Sequence, residues 1–289
     1  MGDLQKISFQ LFKEYSDYLI PYFPDLKTEL KQAGMPYTVQ EYVSMGITIS
    51  IIMFAVSIPL MAFLFGFMFS DFLFGFLLAM VAGFGVSGVI FYAITMFPKV
   101  QIKSKAQEID DALPFAVMYL STISGSKLPL FKTFDVFTRF MKYGEVVKQI
   151  NNINEDVKVF GLDIVTALER AIDRSPSKTM KEVFYGMLST IRSGANMNIY
   201  LKEKSNSLMG EYRRRLYEFS HSLTIYVEIY LTSIVLGAIF FTVLTAIISG
   251  LSGAGSNVIM LQFILVFVFM PLISAVFLYM IKSATPGGE

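Results

Sequence analysis

The fold class that the sequence predicts is an all-α membrane protein, with four transmembrane helices in two hairpins flanking a cytoplasmic bundle of about six helices. Three observations predict it. Four apolar segments, Gly46–Phe69, Phe72–Phe97, Leu223–Ile248 and Val258–Ile281, each run 24 residues or more, and a helix rising about 1.5 Å per residue needs only ~20 to cross the hydrocarbon. Between the second and third lies a polar insert, Pro98–His221, holding 19 of the chain's 24 Lys+Arg residues. Within it, Gly125, Gly161 and Gly194 each precede an apolar residue by three places, the pattern of a helix-stop, helix-start corner. No strand-like alternation competes with the helical periods.

Composition supports the class. The chain is 54% hydrophobic with 28 Phe and a mean hydropathy of +0.56, outside the ordinary soluble range. Buried core helices of a soluble protein would be shorter and fewer. The cations set an expected orientation: four precede the first span, Lys282 follows the last, and the short connections Ser70-Asp71 and Ser249–Asn257 hold none. By the positive-inside bias both termini and the insert are expected in the cytoplasm, in a multi-pass membrane protein. The expected divisions are 1–44 (N-terminal cytoplasmic or interfacial helices), 45–97 (first hairpin), 98–222 (cytoplasmic helical domain), 223–282 (second hairpin) and 283–289 (tail). A net charge of +1 argues against a nucleic-acid partner. With no cysteine there is no disulfide framework and no thiolate chemistry. Asp3, Glu14 and Asp17 interrupt residues 1–20, so no signal-peptide core is expected there.

In chain order, residues 3–19 read as an amphipathic helix with Leu4, Ile7, Leu11, Tyr15 and Tyr18 on one face and Asp3 as N-cap. With the short helix that follows, it forms an interfacial or cytoplasmic lead-in, expected either to pack on the insert or to serve as a partner-binding arm. Pro21 and Pro24 end it; Asp25 caps a short helix, Leu26–Ala33, closed by Gly34 in the left-handed region. Pro59 is expected to kink the first span. Gly75, Ala79, Gly83 and Ser87 recur every four residues in the second span. Small residues in that register let backbones approach, either against the first span or against another molecule. Asp71 makes a tight turn between these spans. The second span is expected to continue past Pro98 to Glu108, with a restart at Asp110, Asp111 and Pro114. Helices are then expected near 111–124, 128–142, 144–159, 163–174, 177–193 and from 197 onward. Asp163 and Asn196 serve as N-caps, and Pro176 separates two helices. Connections this short make a compact antiparallel bundle. No Gly or Pro lies between Glu211 and Gly237, so the sixth helix runs into the third span.

Catalytic constellations are missing from the sequence. The only histidine is His221, and there are no cysteines, which leaves no His/Cys metal cluster and no nucleophile–histidine pair. No metal or cofactor is expected, and the chain is not expected to be an enzyme. Gly83-Phe-Gly-Val-Ser-Gly88 has the glycine spacing of a phosphate loop, but Val89-Ile90 stands where Lys-Ser/Thr is required. Arg213, Arg214 and Arg215, with Tyr212, Tyr217 and Phe219, form a basic and aromatic belt before the third span. It reads as a snorkelling anchor to anionic membrane lipids or as a patch for an acidic partner. Glu228 lies about 7–8 Å inside that span at helical rise. There it expects a polar neighbour, as a headgroup-level residue or as a contact for a charge on another membrane helix. Asp110 and Asp111, with Glu108 and Lys105, read as a cap and solvated face or as a docking point.

The arrangement of two spans, a helical module and two spans resembles the single-module membrane proteins of Tad-type pilus systems. More broadly it is similar to the assembly-platform proteins (F-domain proteins) of type II secretion, type IV pili, archaeal pili and archaella. The stretches carrying the resemblance are Asp111-Ala-Leu-Pro114, Ser124-Gly-Ser-Lys-Leu-Pro-Leu-Phe131, Gly161 through Ala167-Leu168, and Ile191-Arg-Ser-Gly194 with Ile199-Tyr-Leu201. The lead-in Leu30-Lys-Gln-Ala-Gly34 before Tyr42 belongs with them, and with the topology the resemblance covers nearly the whole chain. The resemblance implies a non-enzymatic platform in the cytoplasmic (inner) membrane that binds a cytoplasmic hexameric secretion ATPase and couples its motion to lifting pilin or prepilin-like subunits into a filament. Asp110, Asp111, Lys127, Lys132, Arg192, Arg213, Arg214, Arg215 and Glu228 are the candidate contacts. Many proteins of the family carry two such modules in tandem and this chain has one, which implies pairing with a second copy or a paralogue. Two other readings stay open: a small transporter or channel, and a membrane-anchored scaffold without ATPase coupling.

Overall fold

The computed structural model describes residues 2–69, 72–126, 128–141, 144–252 and 270–284, with Met260, Phe263, Ile264, Phe267 and Val268. Among these residues every regular element is helical. The chain divides into two compact units, Met1–Ser205 and Asn206–Glu289.

The first unit opens with α1 (Gly2–Leu19), a 3₁₀ turn at Ile20–Tyr22 containing Pro21, and α2 (Leu26–Ala33). Gly34 closes α2 at φ 66°, the left-handed conformation expected of it. Asp25 stands at the N-cap position of α2, but its side chain makes no capping bond. The lead-in packs on the insert, as expected, through α2, which meets the helices Phe72–Ser124 and Ile164–Arg174: Lys105 Nζ donates to the Ala33 carbonyl at 2.7 Å and Lys99 lies 3.6 Å from Glu29. α1 lies against the next helix, α3 (Val39–Phe69), and does so by its polar face: Ser8 and Ser16 are buried while Leu11, Tyr15 and Tyr18 face outward. Gln40 on α3 donates to Asp17 on α1 at 2.8 Å. The periodicity of α1 identified an apolar stripe correctly, but sequence carries no rule that the stripe must face protein when lipid is the alternative solvent.

α4 (Phe72–Ser124) is a single 53-residue helix, and here the structure corrects the expected restart at 110–114. Pro98 and Pro114 lie inside it. Each proline removes one intrahelical donor, yet Ile109, Leu113, Val117 and Leu120 on one face are all buried. Their packing holds the helix on course against local propensity. Pro59 likewise lies within the unbroken α3.

α3 and α4 pack along the small-residue register. A Cβ added to Gly75 would lie 2.9 Å from the Gly66 backbone nitrogen, and one added to Gly83 would lie 3.1 Å from Ser57 Oγ. Ala79 is fully buried, and Ser87 Oγ donates to the Ser50 carbonyl at 2.9 Å. Outward from this pair stand Ile52, Val56, Phe63, Phe67 and Phe84, as on helices solvated by hydrocarbon, where backbone proximity drives association.

Four short helices follow: α5 (Leu130–Phe140), α6 (Glu145–Lys158), α7 (Ile164–Arg174) and α8 (Lys178–Ser193). Their positions match the expected breaks. Gly161 and Gly194 adopt φ 68° and 69°. Asp163 accepts from the amides of Val165 and Thr166 as N-cap of α7, and Asn196 Oδ1 accepts from the Asn198 amide. The core of this module is built by Phe134 and Phe137 of α5, Ile150 and Ile153 of α6, Leu168 of α7 and Phe184 of α8 around α4.

α9 (Met197–Ser252) is one continuous helix of 56 residues. In the second unit it is joined by α10 (Met270–Ala284). Tyr230 of α9 stacks on Phe277 of α10 with ring centroids 4.5 Å apart, and its hydroxyl lies 3.0 Å from Ser274 Oγ. Three helical stretches, Val39–Phe67, Leu73–Ser124 and Met197–Ile248, are long and apolar enough to cross a membrane. At 52 residues each, the latter two extend about 78 Å, more than twice the ~30 Å hydrocarbon thickness. Only their apolar parts, 72–97 and 223–248, are suited to lie in lipid. α10 is shorter, and most of 258–269 in the expected fourth span lies outside the described residues, as do the Asp71 turn and residues 253–257.

Candidate functional site

The candidate site is the helical module formed by the latter half of α4, α5–α8 and the start of α9. Its polar side chains act as ties between helices. Glu108 Oε1 on α4 accepts from the Glu145 amide at 3.0 Å, capping α6 where Gly144 (φ 104°) enters it. Asp110 on α4 accepts from Ser177 Oγ, which itself accepts from the Met180 amide at 3.0 Å and so caps α8. Asn198 on α9 donates to the Ser121 carbonyl near the end of α4 at 3.0 Å. The Tyr200 hydroxyl donates to the Val183 carbonyl of α8 at 2.9 Å. α9 is thus tied to both α4 and α8 within its first turn.

A second set of ties is ionic. Asp156 on α6 is buried, 3% exposed, and meets Arg174 and, at 3.8 Å, Arg170 of α7. Burying a carboxylate without such a partner would cost several kcal/mol. Asp135 on α5 bridges Arg139 one turn on and Lys158 of α6. The Lys158 hydrogen bond, then that of Arg139, holds the Asp135 carboxyl below its usual range, and burial opposes them. Hydrogen bonding to Glu145 raises Lys148 above the usual lysine value. The Thr166 hydroxyl, then its amide, lowers Asp163, the signature of a carboxylate at a helix N-terminus.

The sequence-predicted contact residues are spread over this framework. Asp110 is engaged internally by Ser177; Asp111 is half-buried beside it. Lys132 is exposed on α5. Arg192, exposed in the last turn of α8, pairs with Glu169 of α7. Gly125, Gly161 and Gly194 stand at the expected corners; a Cβ on Gly125 would lie 3.2 Å from the Thr122 carbonyl and 3.5 Å from Asn198 Nδ2. In the second unit Arg213 and Arg214 are exposed, Arg214 lies 3.7 Å from Glu218, and Arg215 is half-buried. Glu228 is exposed on α9, and no hydrogen bond or ion pair is found for it among the described residues. Lys127 lies outside them. The structure therefore brings Asp110 and Asp111 together on the module and places the arginine belt and Glu228 on the other unit.

Sequence reasoning missed Ser177, Asn198 and the Asp156–Arg170–Arg174 cluster as ties. Ser177 had a legible signal, a serine directly before a helical stretch and after Pro176. Arg170 and Arg174 sit one turn apart, but nothing in the pattern showed that Asp156 faces them.

These features define a multi-pass membrane protein with an all-helical module between its long apolar helices. Residues 116–245 match the family model described as type II secretion system (T2SS), protein F. The match is consistent with the secretion F-domain and pilus-platform family. It is 28% identical over 157 residues to the uncharacterized protein MJ1286 of Methanocaldococcus jannaschii, covering 54% of this chain and 26% of that protein. It is 27% identical over 120 residues to the uncharacterized protein MJ0780 of the same organism, covering 41% of this chain and 35% of that protein. The matched part thus spans about a quarter to a third of these relatives' length. No solved structure matches.

Proposed function

We propose that this protein is an integral-membrane assembly platform of a type IV pilus-like or type II secretion-like system. In this reading it is not an enzyme. Its helical module docks a cytoplasmic hexameric secretion ATPase, and its spans handle pilin-like subunits entering a filament. The carrying observation is the family match over 116–245, which covers most of the module and the apolar part of α9. The cation distribution supports placing both termini and the module in the cytoplasm.

Supporting the coupling is the internal construction of the module. Its short helices are tied to α4 and to the start of α9 by Ser177, Asn198 and Tyr200. Both of those helices continue as apolar stretches long enough to span. A load applied to the module would be passed along two helices without an intervening loop. The solvent-facing Lys132, Arg192, Arg213 and Arg214 are the proposed electrostatic contacts with the motor, and Glu228 the proposed contact with a membrane-embedded subunit. Pairing with a second copy or paralogue completes the platform.

The test is affinity isolation of the cognate secretion ATPase with the full-length protein in mild detergent, alongside filament counts in a deletion strain. Co-purification that weakens when Lys132 and Arg192 are both changed to glutamate, with filaments lost on deletion, is the expected result. Absence of the ATPase from the isolate together with normal filaments in the deletion strain would refute it.

A further inference from the structure

A cavity of about 550 Å³ lies in the first unit where α3 and α4 change from apolar to charged sequence. That size falls within the ~300–1,000 Å³ usual for ligand sites. One wall is a single face of α4: Ile90, Ile94 and Phe97, then Gln101 and Lys105. These residues repeat at three- and four-residue steps, so the wall runs about 22 Å along the helix, from hydrocarbon-type to polar side chains. The opposite wall is the α2–α3 turn, including Tyr37, with Met45 of α3.

Besides the hydroxyls of Tyr37 and Tyr42, the latter donating to the Ile94 carbonyl at 2.7 Å, two polar groups stand at one end of this space. Lys105 Nζ donates to the Ala33 carbonyl at 2.7 Å at the C-terminus of α2, which leaves its other two N–H bonds and its charge for a ligand. Gln101 Oε1 is buried with no hydrogen-bond partner among the described residues, a desolvated acceptor that is unfavourable unless a donor reaches it. Hydrocarbon lining, then an unmet acceptor and, one turn further on, a cation along one groove are the complement of an anionic amphiphile whose headgroup carries a hydroxyl.

We infer that this cavity is a binding site for one anionic phospholipid, its acyl chain along Ile90, Ile94 and Phe97 and its phosphate at Lys105. A headgroup hydroxyl donates to Gln101 Oε1. The lipid fills the space between α2, α3 and α4 and is a structural component of the first hairpin. The site is independent of the platform reading, since it draws on neither the ATPase nor the filament subunit.

The experiment uses the full-length protein, delipidated in detergent, with phosphatidylglycerol carrying a photoactivatable diazirine in its acyl chain. Labelled peptides are mapped by mass spectrometry. Labels concentrated in 35–45 and 90–105, several-fold stronger than with the phosphatidylcholine analogue, are expected. Ala93, on the cavity wall, fills the space when enlarged, so A93W should lower labelling there at least tenfold. K105Q should remove the preference for phosphatidylglycerol while the protein still elutes as folded, and it decides the matter if A93W does not fold. Labels spread evenly over the apolar helices, unchanged labelling in K105Q, or displacement by inorganic phosphate alone would overturn the inference.

Discussion

Replacing Gly186 with alanine puts a methyl group where the Tyr200 ring already stands. A Cβ built on Gly186 falls 2.1 Å from Tyr200 Oη, 2.3 Å from Cζ and 2.5 Å from Cε2. Real Cβ atoms never approach that closely, so the ring must leave, and with it goes the hydroxyl bond to the Val183 carbonyl. Overpacking of this kind costs about 1–3 kcal/mol and the lost hydrogen bond about 0.5–1.5 kcal/mol. Alanine's helix propensity returns about 1 kcal/mol relative to glycine. The net expectation is a destabilisation of about 2 kcal/mol, roughly 4–8 °C in Tm for a chain of this size class. Tyr200→Phe, which loses only the hydroxyl, should cost about 1 kcal/mol. In a Tyr200→Ala background the obstacle is gone, so adding Gly186→Ala should stabilise by up to about 1 kcal/mol. The sign of the Gly186 effect therefore inverts between the two backgrounds, a coupling of about 3 kcal/mol. Thermal unfolding in detergent, with hydrogen exchange read on α8 peptides, measures both. If Gly186→Ala has the same effect with and without the Tyr200 ring, the α8–α9 contact is not the one described.

Three further outcomes are expected. Gly75→Ala should lower the stability of the first hairpin by about 1–3 kcal/mol, because the obstacle is the Gly66 backbone. Gly85→Ala and Gly88→Ala, with nothing within 4 Å, should not, and thermal unfolding of the three variants in one detergent compares them. Ser177→Ala removes the α8 N-cap and the tie to Asp110, which should cost about 1–2 kcal/mol, read as faster hydrogen exchange in the first turn of α8. Asp135 has a folded-state pKa below its unfolded value of about 3.9, so its contribution is present above that value and is lost as pH falls through the folded pKa. Asp135→Asn should therefore flatten the stability profile below about pH 4, measured as Tm against pH.

Much of the architecture was legible in the sequence because the signals are local. Gly34, Gly161 and Gly194 were read as helix ends, and each sits in the left-handed region. Asp163 was read as a cap and is one. The failures share a cause. Pro114 was read as a start signal, but the buried face through Ile109, Leu113 and Val117 carries α4 straight past it. The apolar stripe of α1 is legible, but which side of that helix meets protein is not: Ser8 and Ser16 are the buried side. The candidate contacts were chosen as charges, and the structure shows that Asp110 and Arg192 already have partners inside the module.

The sequence by itself determined the helical class, the apolar stretches and the corners between the short helices. Those follow from hydropathy over a length and from backbone preferences of glycine, proline and capping residues, which act within a few residues. Only the tertiary structure decided that the register Gly75–Ser87 meets α3 of the same chain. The same holds for Asp156 facing two arginines, and for Gln101 and Lys105 ending one cavity with Ile94. These depend on which distant faces come together, and a one-dimensional pattern carries the spacing of a face but not the identity of what covers it.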